Sequence, residues 1–243
     1  GDHHTLLLAK DGTVWTFGDN TYGQLGAGDC EKYHGRVVQV LRGAGTGKDK
    51  YLSNIIQIAA DGNTSMALSA DGTVWTWGEN ARGQLGMDSI SGTQVPVQVE
   101  KAAVDPDFNT TAPDTEGIYP QKNYYLKNAF QISAGNGFAL AAALRTMNGT
   151  REAVAFAWGD NTYGQLGIGN QLLGSYTRIP QLVLDESGAN HLTGVRQVSA
   201  GSTHSLAIVE DNILRQDNGQ TILDSAVMGW GDNARGQLGM DNK

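Results

Sequence analysis

Four oxygen-bearing side chains, Asp105, Asp107, Asn109 and Glu116, stand at the first, third, fifth and twelfth places of a run spaced like a calcium loop. Thr110 occupies the place where such a loop turns on glycine, Pro106 and Pro113 stiffen the run, and no flanking helices are expected. The run therefore reads as a solvated acidic loop, with calcium as the alternative. Asp105 and Asp107 are also an acid pair of the kind hydrolases use, but both are loop-borne and nothing in the sequence marks either for a raised pKa. His3 and His4 lie beside Asp2, and His204 precedes a similar apolar run; imidazoles and carboxylates so placed can hold a metal. Thr64 and Phe138 take the place of His4 in two other copies of that segment, which points to a structural group. Cys30 is the one cysteine, so neither a disulfide framework nor a thiolate cage can form. No catalytic residue, metal site or cofactor is assigned.

The segment Gly18 to Gly26 reads Gly-Asp-Asn-Thr-Tyr-Gly-Gln-Leu-Gly, and close copies return at 78–86, 159–167 and 231–239. Such self-similarity marks supersecondary units that bury their faces against one another. Gly18, Gly23 and Gly26 suit corners with positive φ, Asn20 and Gln24 suit capping of backbone groups, and Leu25 suits a plug between units. A phosphate cradle is disfavoured, since no lysine follows the glycines and no helix is expected after them. Within the loop one pair varies: Thr21-Tyr22 and Thr162-Tyr163 against Ala81-Arg82 and Ala234-Arg235. Tyrosine and arginine are enriched at the energetic centres of interfaces, which makes Tyr22, Arg82, Tyr163 and Arg235 the partner-binding candidates. The other reading has their stems covering seams between units.

Around each loop the same parts recur in the same order. An apolar strand such as Ile55 to Ala59, Phe130 to Ala134 or Val195 to Ala200 leads through a Gly or Asp turn to a second strand. Asp11-Gly12 and Asp71-Gly72 then predict hairpins with both residues at positive φ. A third strand ends in Trp77-Gly78, Trp158-Gly159 or Trp230-Gly231, and a fourth follows the repeated loop, with Pro96 and Pro180 expected near its start on an outer edge. Four short antiparallel strands per unit predict an all-β chain of β-propeller blades.

Ala200-Gly201-Ser202-Thr203-His204-Ser205-Leu206-Ala207, the four Gly-Gln-Leu-Gly corners and the three Trp-Gly pairs together resemble the regulator of chromosome condensation repeat family. The resemblance covers nearly the whole chain outside its insertions and implies a ring of about seven blades. Four repeats are present, in one propeller region, 1–243, with approximate units 1–54, 55–129, 130–194 and 195–243, open at both ends. Residue 1 follows the place of a first strand and Lys243 precedes a closing one, so completion by a longer chain or by another copy is expected. Open blade edges would also allow self-association.

A net charge of −8 argues against sequence-independent nucleic-acid binding, and no apolar run is long enough to span a bilayer. Asn63, Asn109 and Asn148 each begin an Asn-x-Ser/Thr string, which tilts the expected compartment toward the cell surface or exterior. Units differ chiefly by insertion: 43–54, 101–127, and two enlarged hairpins at 145–152 and 210–224 that should emerge at one end of their blades. Long loops on a rigid scaffold are where recognition resides. The expected function is a non-enzymatic scaffold that binds a protein through these insertions. The resemblance implies a second, guanine-nucleotide exchange on a small GTPase, and a third is a carbohydrate-active enzyme using the propeller funnel.

Overall fold

Short runs rich in Val, Ile, Thr, Trp and Phe form strands because branched and aromatic side chains fit a pleated, half-buried surface, while the bounding Gly, Asp and Asn supply turns. The computed structural model describes residues 1–29, 31–43, 50–88, 91–100, 125–147, 150–169, 173–217 and 220–239. Their strands assemble into four antiparallel sheets in which neighbours in sequence are neighbours in space. The first holds β1 (His4–Leu8), β2 (Val14–Asp19) and β3 (Tyr33–Gln39). The second holds β4 (Ile55–Asp61), β5 (Thr64–Ser69), β6 (Val74–Gly78) and β7 (Thr93–Gln98). The third holds β8 (Ala129–Gly135), β9 (Phe138–Met147), β10 (Thr150–Asp160) and β11 (Tyr176–Leu182), and the fourth β12 (Val195–Ala200), β13 (His204–Asp217) and β14 (Gln220–Gly231). The all-β blade architecture is the one the repeats predict.

Two local expectations need correction. Gly12 and Gly72 have positive φ, but Asp11 and Asp71 do not. The turns are four-residue ones, closed by Gly12 N–H donating to Ala9 C=O and Gly72 N–H to Ser69 C=O, so only the glycine needs the left-handed region. The aspartate instead accepts from the backbone N–H two residues on, that of Thr13 or Thr73. Pro96 and Pro180 lie inside β7 and β11, at register shifts, rather than at the strand starts. Both strands are the outer edges of their sheets, and a bulge there makes the missing N–H harmless.

The sheets are joined by the repeated corner. Leu25, Leu85 and Leu166 are fully buried, and each corner leaves one glutamine carbonyl pointing at the next sheet. Gln24 C=O accepts from Ser65 Oγ at 2.7 Å and Trp77 Nε1 at 2.9 Å. Gln165 C=O accepts from Ser205 Oγ and Trp230 Nε1, and Gln84 C=O from Trp158 Nε1 at 3.0 Å. Each indole lies over a corner glycine; a Cβ on Gly26, Gly86 or Gly167 would sit within 3.0 Å of its nitrogen. A second device links the inner strands. Gln57 Nε2 donates to Ile132 C=O while its Oε1 accepts from Ile132 N–H, and Gln131 clasps Val198 in the same way.

His4 is buried at the seam of the first two sheets, with Nε2 2.8 Å from Ser65 Oγ. Burial lowers its pKa from 6.5 to about 4. The folded state therefore holds the ring neutral where the unfolded chain would protonate it. Stability is expected to be full above about pH 6.5, to fall as pH drops toward 4, and to level off below that. Urea midpoints measured across this window check it, and His4→Phe, which copies Phe138 of the third sheet, should flatten the slope.

Candidate functional site

Antiparallel order puts the turns of each sheet at two ends. At one, the link between a sheet's first two long strands meets the repeated corner: Asp19 N–H donates to His3 C=O, Glu79 to Asn63, Asp160 to Gly137 and Asp232 to Thr203. At the other, the hairpin glycine of one sheet accepts from the inner strand of the next, Gly12 C=O from Ile55 N–H and Gly72 C=O from Ala129 N–H. The extended β9–β10 and β13–β14 hairpins, and the strand ends that the three links between sheets join, belong to this second end. The four variable corner residues belong to the first. The chain thus has two distinct candidate surfaces on opposite ends.

The corner residues split by type. Tyr22 and Tyr163 are 47% and 53% exposed, and their backbone N–H groups donate to Gln24 Oε1 and Gln165 Oε1. Arg82 reaches across a seam instead, its Nη1 donating to Asp160 Oδ1 at 2.8 Å. Arg235 is exposed on the last corner. The structure therefore brings Arg82 to a neighbouring corner and leaves both tyrosine rings facing solvent. Asn20, Asn80, Asn161 and Asn233 each accept from the leucine N–H five residues on, which holds these corners in one shape.

At the insertion end, each four-stranded sheet's inner strand and β12 begin with a one-residue bulge. It turns Ile56 and Phe130 outward, both exposed, together with Arg196, which pairs with Glu210 at 2.7 Å. Sequence reasoning missed these residues and the glutamine clasp. The recurring Gln57, Gln131 and Gln197, one place past each bulge, was the available signal.

The calcium set Asp105, Asp107, Asn109 and Glu116 lies outside the described residues, as does Cys30. Among the described residues no three His, Cys, Asp or Glu side chains converge on a common point, and no helix is long and apolar enough to cross a membrane. Of the glycosylation strings only Asn63 is described; its Nδ2 donates to Glu79 Oε2, and Thr64 is buried.

Repeated sheets, indole-to-carbonyl seams and glycine corners define a propeller repeat, and comparison with known proteins gives it a family. The profile of the Regulator of chromosome condensation (RCC1) repeat matches residues 71–105 and 154–208, and a second profile of the same description matches 1–24, 55–84 and 195–237. The chain belongs to this repeat family. It is 34% identical over 211 residues to the probable E3 ubiquitin-protein ligase HERC6 of Homo sapiens, covering 86% of this chain and 16% of that protein. It is 39% identical over 102 residues to the human X-linked retinitis pigmentosa GTPase regulator, covering 41% of this chain and 9% of the relative. The chain spans only a small part of these curated relatives. The crystal structure of human WBSCR16 superposes with a TM-score of 0.59 at 24% identity, over 98% of this chain and 47% of that one.

Proposed function

We propose that the chain is a non-enzymatic scaffold that binds a protein partner at the insertion end. The observation that carries this reading is the contrast between the ends. The corners repeat almost unchanged, while the two enlarged hairpins and the strand ends that flank the links between sheets lie at the other end, where Ile56 and Phe130 are exposed. Uniform corners serve packing, so the variable end is where one repeat protein differs from another. Tyr22 and Tyr163 give the corner end a secondary contact, with Arg82 held mainly by Asp160.

The test replaces 145–152 and 210–224 by the short Asp-Gly turns of the first two sheets and compares proteins retained by immobilised wild type, trimmed chain and Tyr22→Ala/Tyr163→Ala. The trimmed chain should keep its thermal midpoint and lose the specific partner, while the tyrosine variant binds a few-fold more weakly. Unchanged retention by the trimmed chain would overturn the proposal. Similarity to a protein named a GTPase regulator favours one alternative, nucleotide exchange. Accelerated release of a fluorescent nucleotide from a small GTPase at substoichiometric chain would establish exchange, whereas a scaffold gives at most a stoichiometric complex.

A further inference from the structure

The seam between the second and third sheets departs from the repeat at two adjoining positions. At the seam before it Tyr22 stands on the corner, and a Cβ on the next residue, Gly23, would lie 2.7 Å from Gln94 Cα and 2.9 Å from Gln94 Cγ. Here Arg82 takes the place of Tyr22 and Arg178 that of Gln94, with a Cβ on Gly83 falling 2.7 Å from Arg178 Cα and 3.0 Å from Arg178 Cγ. Two neutral side chains thus give way to two cations. Asp160 answers one of them: its Oδ1 accepts from Arg82 Nη1 and Thr162 Oγ1, and its Oδ2 from Gln165 Nε2. Arg178 turns to an aromatic ring instead, Nη2 donating to Tyr176 Oη at 3.0 Å and the guanidinium lying 5.2 Å from the ring centre. Among the described residues Arg178 forms no ion pair, and its buried Nε has no acceptor. Tyr176 stands directly opposite Asp160 across β10–β11, so the two guanidiniums flank one cross-strand pair. Tyr163 and Leu173 are exposed at the same end of this sheet, Leu173 lying against Gly164.

We infer that Arg178 and the outward nitrogens of Arg82 form a recognition site for a carboxylate side chain of an acidic protein segment. Packing does not call for a second guanidinium here, since Gln94 fills the same place at the preceding seam. Neighbouring like charges raise the energy of the free chain, and a bound anion removes that cost. The forked donors of a guanidinium match a carboxylate. Two arginines less Asp160 leave one unit of positive charge, which suits a monoanion better than a phosphate dianion held beside that aspartate. Tyr163, Tyr176 and Leu173 add the apolar contact that a solvent-exposed ion pair alone lacks. The inference rests on the corner end being a protein contact surface and needs nothing from the insertion end.

Fluorescence anisotropy with a labelled hexaglutamate peptide flanked by leucines, against its hexaglutamine counterpart, tests it. The glutamate peptide should bind wild type and the glutamine peptide should not. Arg178→Gln, which copies Gln94, should weaken binding about tenfold with an unchanged thermal midpoint, and Arg82→Tyr, which copies Tyr22, should weaken it several-fold. The chain trimmed at 145–152 and 210–224 should bind the peptide as wild type does, so that loss of an insertion-end partner and loss of this site are told apart. Equal binding of the two peptides, no binding to wild type, or full affinity in Arg178→Gln would each overturn the inference. Displacement of the peptide by inorganic phosphate at concentrations where acetate has no effect would overturn it too, by marking a phosphate site.

Discussion

Gly159→Ala is expected to lower stability by about 3 kcal/mol or more, equivalent to roughly 6–12 °C in thermal midpoint for a chain of this length. Gly159 sits at φ 101°, which L side chains rarely adopt. An added Cβ would lie 2.5 Å from Gly137 O and 2.6 Å from Phe138 Cα. Both are backbone atoms of the adjoining turn, held by the Asp160-to-Gly137 hydrogen bond and the β9–β10 pairing, so neither can yield without opening the sheet. Gly188→Ala supplies the contrast: its φ of 67° is left-handed, but nothing lies within 4 Å, so the expected cost is only about 1 kcal/mol of backbone strain. Paired urea denaturation of the two variants checks this, and equal losses would refute the steric account.

The blade pattern was legible because local rules all pointed one way: apolar strands, turn residues between them, and a corner repeated with its glycines in place. Finer compensations were also written in the sequence, though they need coordinates to interpret. Gly135 and Gly201 lie under the rings of Phe138 and His204, where a Cβ would come within 2.2 Å. In the second sheet Asp61 replaces that glycine, and Thr64, three residues on, is correspondingly small. A single sequence shows these as scattered substitutions; the packing shows them as paired. The opposition of the two ends was less visible. Tyr22 and the enlarged hairpins both stood out as variable, but variability carries no direction, and only strand order assigns them to different surfaces. Arg82 illustrates the same gap, since its partner Asp160 is 78 residues away in sequence.

Trp158→Phe should cost more than the same change at Trp77, by about 1–2 kcal/mol, although both indoles are fully buried. The difference comes from one hydroxyl. Gln24 C=O has two donors, so Trp77→Phe still leaves it the Ser65 Oγ bond at 2.7 Å. At the next seam Ala139 stands where Ser65 and Ser205 stand, and among the described residues the Trp158 indole is the one donor to the Gln84 carbonyl. Phenylalanine there removes the donor and leaves a buried acceptor unsatisfied, in addition to the void left by the smaller ring. Ala139→Ser should then recover about 1 kcal/mol in the Trp158→Phe background and much less in wild type, where the carbonyl already has a donor. A double-mutant cycle on urea midpoints measures this coupling directly. Additive effects at the two sites would mean that the seam is held by ring packing and that the indole-to-carbonyl bond contributes little.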